Sequence, residues 1–160
     1  MIRFSFSLDK IDSKLVSEFT AYYYVDGLLR LDSDTGRVFE EESVPLVELA
    51  LWLSHWLASN KTARSFMPEG YQEDYGQLFY LTPAEGTQYR LLYGYGAPTA
   101  SVTAELVEWE TAFAQFLEDL RQAVQRQYHL QLNAVLHRLG PAPVRSPSKP
   151  FFRFFRSLFR

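Results

Sequence analysis

Residues 44–59 read VPLVELALWLSHWLAS, and the folding of this stretch organises everything on either side of it. Leu46, Leu49, Ala50, Leu53, Trp56 and Leu57 share one face when positions advance by about 100° per residue, the period of an α-helix. Ser43 is placed to cap the helix. Pro45 suits its first turn, where a missing N–H costs nothing. Glu48, Ser54 and His55 interrupt the apolar run, and a bilayer span needs about 20 apolar residues, so the stretch is expected to lie on a sheet. The opposite side carries Val47, Leu51 and Trp52 beside Glu48 and His55. Trp52 there is a candidate partner-binding anchor, tryptophan being a frequent one at interfaces, with burial under the following loop as the alternative. Glu48 and His55, seven apart and facing the same way, are the candidates for an acid–base pair.

The residues on the N-terminal side supply strands. Ile2, Phe4, Phe6 and Leu8 alternate with Arg3, Ser5 and Ser7, the period of a half-buried strand. Phe19 to Val25, rich in aromatics, reads as a second strand. Asp26-Gly27 and Ser33-Asp34-Thr35-Gly36 are turn signals flanking Leu28 to Asp32, with Arg37 to Glu40 beyond. The expectation is a three-strand meander or one long strand bulged at Gly27.

On the C-terminal side, Asn60 to Gly76 reads as a loop. Gln77 to Leu81 and Gln88 to Tyr95 make a hairpin, and Val102 to Val107 one further strand. A long helix is expected from about Glu108 to Leu139, stopped by Gly140 and Pro141. Its stripe Phe113, Phe116, Leu117, Leu120 and Val124 continues, rotated, as Tyr128, Leu132, Val135, Leu136 and Leu139. Unbroken, such a helix would be roughly 45 Å long and would overhang strands of about 20 Å. Its distal stripe, with Leu132 and Leu136, would then be an assembly element and a route to homo-oligomers, unless the helix breaks near Tyr128 to His129. The fold class expected is therefore α+β: an antiparallel sheet of about five to seven strands packed by two helices, the second long and overhanging.

Residues 1–139 are expected as this domain, 140–150 as a linker with four prolines, and 151–160, FFRFFRSLFR, as a basic-aromatic amphipathic tail. Lys149, Arg153, Arg156 and Arg160 follow helical spacing, with Phe151, Phe155, Leu158 and Phe159 opposite. Phe152 adds to the apolar set. Three fates are open to the tail: folding back on the body, seating in a partner's groove, or lying on an anionic membrane surface.

Charge divides the same way. No Asp or Glu follows residue 137, and residues 138–160 hold six basic residues. Residues 1–137 hold 10 basic and 19 acidic residues, a balance of 10 − 19 = −9. Such a body repels nucleic acid and attracts basic proteins. Tyr71, Glu73, Asp74 and Tyr75 in the central loop are the candidate contacts for a basic protein partner, combining aromatic area with negative charge.

Motifs that carry chemistry are few. There is no cysteine, so no disulfide, thiolate metal site or cysteine nucleophile exists. His55, His129 and His137 lack metal-ligand spacing. Gly94-Tyr95-Gly96 lacks a third glycine and a following helix, and there is no G-x-S-x-G or P-loop. No catalytic residue, metal or cofactor is expected. The first ten residues, MIRFSFSLDK, do not form a secretory signal, so a cytoplasmic location is expected. The function expected is a non-enzymatic protein-binding module. By general analogy with small acidic α+β domains of bacteria, it would be an immunity- or antitoxin-type inhibitor of a basic partner. The alternative is a subunit or adaptor anchored through its Phe/Arg tail to a larger complex or an anionic membrane.

Overall fold

The computed structural model describes residues 1–69, 77–94 and 98–140. They form seven strands and four α-helices in the order β1 (Arg3–Leu8), α1 (Ala21–Tyr24), β2 (Asp26–Ser33), β3 (Gly36–Pro45), α2 (Leu46–Ala58), β4 (Arg64–Phe66), β5 (Phe79–Pro83), β6 (Gln88–Tyr93), β7 (Ala100–Glu105), α3 (Leu106–Tyr128) and α4 (Leu132–Leu139). The α+β class is as the sequence implies. The strands, however, form two antiparallel sheets rather than one, ordered β1-β2-β3 and β4-β5-β6-β7. The sheets meet where Phe39 of β3 stacks on Tyr93 of β6, centroids 4.2 Å apart, and the Tyr93 hydroxyl donates to Glu41 at 2.5 Å.

In the first sheet the partner of β2 is β1, not the segment Phe19 to Val25. That segment folds as a short helix because its polar neighbours offer the backbone a turn. The Ser17 N–H donates to Thr20 Oγ1 at 2.8 Å, and the Ala21 N–H to the Ser17 carbonyl at 2.8 Å. Local side-chain bonds of this kind override an aromatic run's preference for strand. Asp26-Gly27 is likewise no turn but the start of β2, paired with Val44 and Pro45. The Ser33–Gly36 turn is where the sequence places it, with Gly36 at φ 120°. Ser43 does not cap α2. It sits at φ 55° beside the shift in register between Gly27 and Leu29, and Pro45 occupies the cap position.

Helix α2 occupies the centre. Besides the expected stripe, Val47, Leu51 and Trp52 are buried, because β2, β3, β4, α1, α3 and α4 pack around it. A helix apolar around most of its circumference finds its place inside, and each fully buried leucine contributes about 2 kcal/mol. At its C-terminus Lys61 donates to the Leu57 carbonyl and, at 3.3 Å, to that of Trp56, with its ammonium 5.0 Å from the Trp56 ring. Those are the last-turn carbonyls that lack helical partners.

The long helix does not overhang. It ends at Tyr128, where His129 turns left-handed (φ 58°), and α4 folds back against α2 and α3. The break falls at the one place the sequence allowed. It buries Leu132 and Val135 and packs Leu136 on the same core, so the distal stripe up to Leu136 is covered by the chain itself, while Leu139 stays partly exposed.

Candidate functional site

A surface concavity runs between β1 and α3. Among the described residues strand β1 lies at the edge of its sheet and pairs with β2 alone. Its register pairs Arg3 with Asp32 and Leu8 with Gly27, and one step further the Asp9 N–H donates to the Asp26 carbonyl at 2.9 Å. In antiparallel pairing the bonded positions alternate. The backbone groups of Arg3, Ser5 and Ser7 thus face β2, while those of Phe4, Phe6 and Leu8 face outward.

That outward edge borders a groove whose opposite wall is α3. The helix is held there by Phe113 and Phe116, whose rings lie 5.5 and 6.2 Å from Phe4, and by Phe116 against Phe6 at 5.4 Å. The near half of the groove, about 740 Å³, is mainly apolar: Ile2, Phe4, Val107 and Ala112, with Glu108 and Asp119 as its acidic groups. Val107 is 64% exposed. The far half, about 440 Å³, is polar, lined by Ser5, Ser7, Gln122, Arg126 and Gln127. Arg3, Phe4 and Asp119 line both halves, so the two are one trough along the whole of β1. The Asp119 carboxylate accepts from the Gln115 amide at 2.8 Å, and Glu108 is 3.3 Å from the Met1 amine.

Those of the residues singled out in the sequence that the structure describes lie elsewhere. Trp52 is only 7% exposed. Its indole N–H donates to the Ser65 carbonyl at 2.8 Å and its ring packs edge-on against Phe66 and Phe79. It is a core residue, which the residues that follow α2 cover. Glu48 accepts the Glu69 N–H at 2.9 and 3.0 Å and so ties Glu69 to α2. Tyr71, Glu73, Asp74 and Tyr75 lie outside the described residues, as do Tyr95 and Gly96 and the tail residues Phe151, Phe152, Arg153, Phe155, Arg156 and Phe159. Leu132 and Leu136 belong to the core around α4. Among the described residues no three His, Asp or Glu side chains converge as metal ligands, and no helix is long and apolar enough to cross a membrane.

The signal for the groove was present as the alternation of residues 2–8. Its meaning was not, because strand order decides which strand keeps a free edge, and strand order is nonlocal.

These features define an α+β domain in which two antiparallel sheets enclose a central helix and one edge strand is left open beside a second helix. The chain belongs to the family described as "Domain of unknown function (DUF7878)", which matches residues 2–126 and so takes in β1, both sheets, nearly all of α3 and the groove between them. No curated protein and no solved structure matches the chain.

Proposed function

We propose that the protein is a non-enzymatic binding module that takes an extended, basic segment of a partner protein into the groove between β1 and α3. The observation that supports this reading is the open edge of β1, whose outward N–H and C=O groups at Phe4, Phe6 and Leu8 border a trough with an apolar half. Main-chain hydrogen bonds to such an edge give affinity, and alternate side chains of the added strand give specificity. The acidic balance of residues 1–137 favours a basic segment and speeds its encounter. Within the groove itself Glu108 and Asp119 place carboxylates in the apolar half, and Arg3 and Arg126 are the groove's basic side chains, so the charge preference comes from the body as a whole. An inhibitor of a basic protein, of the immunity or antitoxin type, is the narrower form of this reading.

A peptide of alternating valine and lysine tests it by nuclear magnetic resonance of the isotope-labelled full chain. Shift changes are expected at residues 1–8 and 107–127. They should vanish with the backbone N-methylated peptide. They should also vanish in a Thr111→Arg, Gln115→Arg variant, which fills the groove from two exposed positions on α3. Shifts confined to other surfaces, or binding that survives N-methylation, would overturn the reading.

A further inference from the structure

A second surface, which shares no lining residue with the groove, is apolar where water should be. Leu15, Phe19 and Tyr23 are 52%, 73% and 68% exposed, and Tyr24 stands partly open beside them. All four come from one stretch, the turn at Ser13–Leu15 and helix α1 that follows it. Within it the Thr20 hydroxyl donates to the Leu15 carbonyl at 2.7 Å, so the aromatics are held on an ordered frame. Isolated exposed apolar residues are ordinary on a protein surface, but several on one ordered segment mark a contact site.

The last turn of α4 already touches this patch. The Arg138 guanidinium lies 4.2 Å over the Phe19 ring and its Nη2 is 2.8 Å from the Glu18 carboxylate. One arginine thus uses an aromatic face and an acid together, the cation–π and ion-pair chemistry suited to guanidinium. Leu139 follows it, partly exposed, and Gly140 ends the described chain there. Beyond it the sequence has 20 more residues, with Arg145, Lys149, Arg153, Arg156 and Arg160 interleaved with Phe151, Phe152, Phe154, Phe155, Leu158 and Phe159 and no acid among them.

We infer that the segment 151–160 docks on the Leu15–Tyr24 patch of its own chain. Three observations select this occupant. Helix α4 ends beside the patch, where Arg138 meets Phe19 and Glu18, and the residues from 140 to 150 can reach at most about 35 Å, enough to turn back. Its phenylalanines match an exposed aromatic surface. Its arginines match an acidic body, of which Glu18 with Arg138 shows the pairing. An intramolecular strand of chain also docks at high effective concentration, so weak contacts suffice. The inference does not rest on the groove reading, and the two surfaces are tested separately.

The chain has no cysteine, so Ser157→Cys gives one attachment point for a nitroxide on the full-length protein. Docking predicts paramagnetic broadening of amides from Leu15 to Tyr24 and of Leu139, unchanged on tenfold dilution and lost in a Phe19→Ser, Glu18→Lys background. Both background positions are at the surface, so that variant retains its fold. No broadening at the patch overturns the inference. So does broadening that fades on dilution, which would place the tail on a second copy. Immobilisation of the label solely on phosphatidylserine vesicles would assign the tail to a membrane surface instead.

Discussion

Gly27 and Asp26, neighbours at the start of β2, show how much a single position can carry. A Cβ on Gly27 would collide with the Ser7 carbonyl oxygen and lie 2.9 Å from Leu46 Cδ1. This glycine therefore serves a close approach of β1, β2 and α2 rather than the turn its Asp-Gly sequence suggests. Beside it, burial and then the negative charge of Asp9 hold the Asp26 carboxyl above the ordinary aspartate range. The folded protein thus binds this proton more tightly than the unfolded chain does. The stability linked to it is fully present below the unfolded pKa and is lost as pH rises through the raised folded value. Asp26→Asn removes that loss. It is expected to stabilise the protein by about 0.5 kcal/mol at neutral pH, the order of a like-charge cross-strand pair. Thermal unfolding midpoints of the two proteins should converge below about pH 4, where the aspartate of the unfolded chain is protonated. A gap between them that widens on acidification would contradict this account.

At the scale of elements, what could be read in advance was what lies within a few residues. The period of two in residues 2–8, the turn at Ser33–Gly36, the hairpin of β5 and β6 and the helical stripe of α2 all depend on near neighbours. What escaped depends on distant ones. Trp52 and Val47 resemble a surface patch until β4 and the other elements packed around α2 cover them. Phe19 to Val25 resembles a strand until Ser17 and Thr20 turn it. The candidate site escaped for the same reason, since β1 was legible as a strand but not as an edge.

The break after α3 lies between these cases. The buried stripe rotates there, but no glycine or proline marks the place, and His129 itself takes the left-handed conformation that costs a non-glycine residue roughly 1 kcal/mol. His129→Gly is therefore expected to stabilise the protein by about 1 kcal/mol, and His129→Val, branched at Cβ, to destabilise it by a similar or larger amount. Urea unfolding with unchanged slope would report both. If valine were tolerated, α3 would have another way to end and the account of the break would fail.

Across the whole molecule, a single hydrophobic cluster joins Phe4, Leu29 and Leu31 of the first sheet to Phe66, Phe79 and Leu91 of the second, with Leu53 and Trp56 of α2, Phe113 of α3, and Leu132 and Val135 of α4. Trp56 shows the connection in one side chain, its ring edge-on to Tyr89 of β6 and to Phe113 of α3. Neither sheet has an interior without α2, so neither should survive the other's loss. Unfolding is expected as one transition in which far-ultraviolet circular dichroism and tryptophan fluorescence coincide, since Trp52, Trp56 and Trp109 are all buried in that cluster. Val135→Ala, at the far end of the chain from β1, should cost about 2 kcal/mol. It should lower both signals together, by about 6 °C for a chain of this size. A variant in which fluorescence moved while the strand signal stayed would mean that α4 is an appendage. The groove between β1 and α3 would then owe nothing to the helix that closes the core behind it. A common shift would tie the open edge of β1 to the same cooperative unit, and a rigid edge is the form in which strand addition loses least ordering entropy.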